Sequence, residues 1–208
     1  MTLIYHIAHI DRLANILCSG YLYSDSAMQG IEGSGTDIGM PEVKERRRSK
    51  PIPCHSGLAV GDCVPFYFCP RSVMLYILHK GNHGKLKYAG GERPIIHLEF
   101  DAEAVTEWAN RNGLRVSFTD ENAASATAVF KADVSQITGL DWGAIGATDW
   151  RGCMREKQAE FLVESRVPSS LVQRIGVIDS DVCEAVKGVL WDAGVPEIPV
   201  DVVPEWYY

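Results

Sequence analysis

The stretch VPFYFCPRSVMLYILHKG, residues 64–81, changes hydrophobic period in its middle. Val64 to Cys69 is an unbroken apolar run of β-favouring residues and reads as a buried strand. Arg71 to Lys80 spaces its apolar residues as a helix does, with a cap at or near Ser72 and a stop at Gly81. Upstream, Thr2 to Ile10 roughly alternates apolar and polar residues and predicts a strand. A helix follows, with Asp11 as N-cap, Leu13, Ile16 and Leu17 on one face, and Gly20 just past its end. Downstream, strands are predicted at Pro94–Phe100, Arg115–Phe118, Gln158–Val163, Arg174–Ile178 and Ile198–Val203. Helices are predicted at Asp101–Asn110, Asp181–Ala193 and the Ala-rich Glu121–Phe130, with residues 131 to 152 irregular. Strands and helices do not alternate regularly enough for a doubly wound sheet, so the fold class is α+β with a mainly antiparallel or mixed sheet.

Between Ser24 and Ser56 the period disappears, and the segment contains Gly30, Gly33, Gly35, Gly39, Pro41, Pro51 and Pro53. Loops of this length inside compact domains are usually functional. Within it, PEVKERRRSK at 41–50 can form a short helix with Pro41 first, and Lys44, Arg46, Arg47, Arg48 and Lys50 make it the most basic stretch.

The chain has 208 residues, 46% hydrophobic and 23% charged, with 20 Lys+Arg against 27 Asp+Glu. One domain spanning 1–208 fits, since single cores extend to about 250 residues. Disordered and fibrous classes are excluded by composition. No apolar run reaches the ~18 residues of a membrane span and no signal peptide opens the chain, so the expected location is cytoplasmic. Six cysteines, irregularly spaced and without C-x-x-C, read as six buried reduced thiols. The net charge of −7 argues against a protein that coats duplex DNA by charge alone, yet leaves room for a local basic cleft.

No Walker A, G-x-S-x-G or H-E-x-x-H sequence occurs, and G-S-G-T-D-I-G at 33–39 does not sit between a strand and a helix as a dinucleotide fingerprint must. His79 and His83 near Cys63 and Cys69 suggest zinc only weakly, because Gly81 interrupts the helix between them; no metal is expected. Glu160 in QAEFLV shares a strand face with Gln158 and Leu162. From position alone a solvated carboxylate outweighs a catalytic one. His6 reads as a hydrogen-bonded strand histidine, and the arginine run as either a solvated turn or a phosphate clamp. Phe66, Tyr67 and Phe68 read as core, with Arg71 and Tyr76 able to offer a phosphate contact and a stacking face.

Taken together, YHIAHIDRLANIL at 5–17, VKERR at 43–47, VPFYFCPRSVMLY at 64–76, FTDENAA at 118–124, LDW at 140–142, QAEFLV at 158–163 and WYY at 206–208 resemble the DarT family of DNA ADP-ribosyltransferase toxins. The resemblance implies an ADP-ribosyltransferase-like fold, two packed, mostly antiparallel sheets around an NAD cleft with peripheral helices. It implies an enzyme that consumes NAD⁺ as co-substrate, releases nicotinamide and attaches ADP-ribose to a base in single-stranded DNA, thymidine favoured and guanosine the alternative. It also implies a DarG-type macrodomain antitoxin as partner; the lack of a long apolar run points to no membrane, and a monomer is expected.

By motif, the resemblance makes Glu160 the catalytic glutamate and Arg47 the catalytic arginine. It makes His6, with Tyr5, Ile4, Leu13 and Arg47, the NAD-contacting set, residues 24–56 the NAD-binding element, and 131–157 the loop that presents the base. Arg71, Tyr76, Arg155 and Lys157 are the expected DNA contacts. Asn122 stands where many members have histidine, and no catalytic role is carried to it.

Cleavage of the nicotinamide–ribose bond develops oxocarbenium character, which a carboxylate near the sugar stabilises. The resemblance also implies that Arg47 helps deprotonate the base; an arginine keeps its proton at neutral pH, so an orienting, electrostatic role is physically easier. Two other readings stay open, transfer to RNA or protein, and a non-catalytic nucleotide- or nucleic-acid-binding module.

Overall fold

The computed structural model describes residues 1–31 and 35–208; Gly33 of the long segment lies outside the described residues. The strands are β1 (Leu3–His9), β2 (Tyr21–Tyr23), β3 (Cys63–Tyr67), β4 (Ile95–Asp101), β5 (Val116–Thr119), β6 (Phe130–Lys131), β7 (Glu160–Glu164), β8 (Arg166–Pro168), β9 (Arg174–Val177) and β10 (Val200–Val202). The α-helices are α1 (Leu13–Ser19), α2 (Pro41–Ser49), α3 (Val73–Lys80), α4 (Ala102–Arg111), α5 (Trp142–Gly146) and α6 (Ser180–Asp192). An eight-stranded sheet runs β10-β9-β4-β1-β3-β7-β5-β6, antiparallel except for β10 with β9. The second sheet is only the pair β2–β8, so the two expected sheets exist but are very unequal in size.

Alternation along the central strands decides what lies on each side. Ile4, Ala8, Val64, Phe66, Leu98, Phe100, Phe161 and Val163 share one cluster with α4 and α6. Cys63 and Leu162, on the other face, pack with Ile52, Leu58, Val60 and Ala123. Ser165 takes a left-handed φ of 64°, an uncommon conformation for a residue with a Cβ. It lies between β7 and β8, where the chain leaves the large sheet for the small one, and is held there by its amide donating to Asp62 O and its carbonyl accepting from Ser24 N.

Helix ends follow their local chemistry. Ser72 caps α3 by accepting from Leu75 N, and Gly81 closes it in the left-handed region. Asp101 and Asp179 cap α4 and α6. Asp11 does not cap α1: a 3-10 turn, Ile10–Arg12, intervenes, and the Asp11 carboxylate accepts from Thr36 N and Oγ1 instead.

The predicted helix at 121–130 is absent. Asn122 Oδ1 accepts from Ala124 N, Asp120 Oδ1 accepts from Val129 N, and Glu160 accepts from Ala123 N, so side chains capture the amides that a helix needs. Gln158 closes a 3-10 turn and β7 begins at Glu160, two residues later than expected. The cysteines are all free, but Cys18 and Cys54 are exposed and Cys153 half-buried, so only Cys63, Cys69 and Cys183 meet the expectation of buried thiols.

Candidate active site

The central sheet opens where β1 meets β3. Their ladder is confined to Tyr5 opposite Tyr67, whereas β1 pairs with β4 along its whole length. Pro65 has no N–H to give a ladder, and its carbonyl accepts from His6 Nδ1 at 2.8 Å. The histidine side chain thus replaces a backbone bond at the split. A cleft of about 1090 Å³ enters here, lined by β1, β3, the start of β7, α2 and α3.

Glu160 stands in this cleft with only 1% of its surface exposed. The solvated-face reading from position is therefore overturned. Register places it directly opposite Tyr67. Arg47 reaches it from α2 with a two-pronged contact, Nη1 to Oε1 at 3.0 Å and Nη2 to Oε2 at 2.8 Å, and Ala123 N donates to Oε1 at 2.9 Å. The Glu160 amide donates to Thr119 Oγ1, which fixes the first residue of the strand against β5. The carboxylate is thus held in one rotamer by three donors.

α2 buries no residue fully, so it is not held by an apolar face. Ions hold it: Asp25 accepts from Lys44 and from Arg48 Nε, Asp37 accepts from Lys44, and Arg47 binds Glu160. Close approach is allowed by Gly61, where a Cβ would come within 2.7 Å of Arg48 Cα.

The electrostatics separate the candidates. Burial works against the charge of Arg47, but the Glu160 carboxylate outweighs it and raises the arginine's pKa above its ordinary value. Burial lowers His6 to about 4, helped by the Arg12 charge and opposed by the bond to Pro65. His6 is therefore neutral near pH 7, and with Nδ1 donating to Pro65 O its Nε2 is left as an acceptor. Burial and the neighbouring Glu160 carboxylate push the Tyr67 phenol above its ordinary range. Burial pushes the Cys63 thiol up to about 12.

Of the residues anticipated from sequence, the cleft brings together Glu160, Arg47 and His6. Ile4, Tyr5 and Leu13 are buried behind it: Ile4 and Leu13 in the main core, and Tyr5 edge-on against Trp206 at 5.2 Å. Arg71 lies over the Tyr208 ring at 4.4 Å, and Tyr76 meets both Tyr208 and Trp150 edge-on, forming a half-buried aromatic cluster. Arg155 is 66% exposed and paired with Glu121. Lys157 departs from the expectation of a phosphate contact: it is 3% exposed and its ammonium donates to Ile145 O at 2.7 Å. Asn122 lines the cleft and bonds Gln158. Sequence reading missed Tyr67, Thr119 and the Ala123 amide, whose approach to Glu160 depends on strand register and a turn. Among the described residues there is no metal-binding group, and His79 bonds Glu92.

A family described as "ssDNA thymidine ADP-ribosyltransferase, DarT" matches residues 5–208. A protein of Thermus sp. (strain 2.9) named DNA ADP-ribosyl transferase is 37% identical over 211 residues, covering 100% of this chain and 96% of its own. The structure of Thermus sp. 2.9 DarT in complex with ADP-ribosylated ssDNA is similar with a TM-score of 0.88 at 36% identity, covering 100% of this chain and 96% of that one. The same protein in complex with NAD⁺ gives a TM-score of 0.83 at 35% identity, covering 100% and 98% of the two chains. The similarity in sequence and in structure runs the length of the chain, and the chain belongs to the DarT family of DNA ADP-ribosyltransferases.

Proposed function

We propose that the protein is an NAD⁺-dependent transferase that moves ADP-ribose onto a base of single-stranded DNA and releases nicotinamide. The carrying observation is Glu160, buried at the sheet split and clamped by Arg47 within a cleft large enough for a dinucleotide. A carboxylate there stabilises positive charge growing on the ribose as its bond to nicotinamide lengthens, an interaction worth about 10²–10³-fold in rate. Arg47, kept protonated by Glu160, orients the carboxylate and eases loss of the base proton electrostatically, without serving as the base itself. Neutral His6 offers Nε2 as an acceptor to the bound dinucleotide.

Thymidine is the favoured acceptor, in keeping with the family's description. The base must be unpaired to reach a cleft-bound sugar. Arg71 and Tyr76 are the proposed DNA contacts, with exposed Arg155 within the 131–157 segment that would present the base. A DarG-type macrodomain is the proposed antitoxin. No described helix is long and apolar enough to cross a membrane.

Labelled NAD⁺ incubated separately with single-stranded DNA, duplex DNA, RNA and a protein lysate tests the assignment. Label is expected on single-stranded DNA. Label on RNA or protein alone would reassign the acceptor, and none anywhere would leave a binding module.

A further inference from the structure

The charges lining the cleft do not cancel. Six of the described lining residues are Lys or Arg and four are Asp or Glu, an excess of two positive charges in a chain whose overall charge is −7. Each of the four carboxylates is already engaged: Glu160 by Arg47, Asp25 by Lys44 and Arg48, Asp37 by Lys44, and Glu42 by Lys85. Arg12 and Arg46 remain: among the described residues neither forms an ion pair, Arg12 acting on Asp37 only through its charge, which helps hold that carboxyl below its ordinary pKa, and Arg46 being exposed. They come from different walls, Arg12 from the turn after β1 and Arg46 from α2.

Arg12 is also held in place. Gly35, at a φ of +91°, presses on its stem so closely that a Cβ there would come 2.8 Å from Arg12 Cγ. Arg12 is half-buried beside a segment pinned by the Thr36 bonds to Asp11, and it lines the cavity. The two guanidiniums add positive charge to one cleft from two of its walls, and guanidinium forks match phosphate oxygens.

We propose that Arg12 and Arg46 bind the diphosphate of NAD⁺, one from each wall of the cleft, leaving Arg47 to Glu160 and Arg48 to the support of α2. This rests on the transferase reading above and adds two residues to it. The dianionic diphosphate matches the excess in sign and size. A DNA phosphate is the competing ligand.

Binding of ADP-ribose, which keeps the diphosphate but cannot be cleaved at the nicotinamide bond, separates these. Arg12→Ala and Arg46→Ala are each expected to weaken ADP-ribose binding about tenfold or more, about 1.4 kcal/mol, with an unchanged melting temperature. Arg12→Lys should recover part of the loss, and KM for NAD⁺ should rise with kcat little changed. Variants that bind ADP-ribose as the parent does but lose affinity for single-stranded DNA would overturn the proposal in favour of a DNA phosphate. An equal fall in ADP-ribose binding and melting temperature, without rescue by lysine, would make the arginines merely structural. If the parent protein binds neither NAD⁺ nor ADP-ribose, the transferase reading itself falls; parent binding with unaffected variants removes only the two arginines.

Discussion

Glu160 and Arg47 form a pair in which each member restrains the other's chemistry. A buried carboxylate without its partner is strongly disfavoured, so removing Arg47 outright mixes catalysis with stability. Two gentler substitutions separate them. Glu160→Gln keeps the shape and the acceptor for Ala123 N but loses the charge; kcat should fall about 10²–10³-fold while ADP-ribose still binds. Arg47→Lys keeps the charge but loses the fork that grips both carboxylate oxygens, and initial rates should fall at least about tenfold with circular dichroism unchanged. Parent-like rates in Arg47→Lys would mean that a point charge suffices. In the sequence, Glu160 looked like a solvated strand residue because alternation says which face a side chain takes, not what covers that face. What covers it is α2, whose 113-residue separation from Glu160 no local pattern reveals.

At the scale of elements, α2 and the 120–129 loop show what sequence patterns convey and what they miss. Pro41 at the first turn and the basic run foretold a helix, and one forms. Its docking was hidden because it uses ion pairs and a glycine contact rather than an apolar stripe. Asp25→Asn removes the anion shared by Lys44 and Arg48. Hydrogen exchange should quicken over residues 41–49, and KM for NAD⁺ should rise several-fold, while exchange in β4 stays slow. Unchanged exchange in α2 would show that Asp25 is not its tether. The loop was misread as a helix because alanine content carries helix propensity, whereas Asp120 and Asn122 capture backbone amides and Glu160 takes another.

Across the whole molecule, the longer strands and helices were legible in order, because buried strands such as β3 and β4 and capped helices such as α3 and α6 carry strong local signals; the short β2, β6 and β8 were not read, nor was α5 inside the stretch expected to be irregular. The split between β1 and β3 was not, since it arises from which strands become neighbours; Pro65 in the middle of an apolar run was its one trace. The same packing buries His97 completely, with Nε2 against Pro70 O and the ring beside Tyr207, and burial lowers its pKa to about 4. His97 binds its proton less readily folded than unfolded, where 6.5 is the ordinary value. Its contribution to stability is therefore complete above pH 6.5 and is lost as pH falls towards 4, by at most about 3 kcal/mol. His6 acts in the same direction. Denaturant midpoints measured from pH 7 to pH 4 should fall across that window, and less so in His97→Gln once its lower starting stability is subtracted.

Mass spectrometry of a thymidine-containing single-stranded oligonucleotide, after incubation with NAD⁺ and either the parent protein or Glu160→Gln, tests the central claim most directly. The parent is predicted to add one ADP-ribose to a thymine base, and the variant, folded and able to bind ADP-ribose, to add none at matched times. Equal modification by the two proteins would contradict the role given to Glu160.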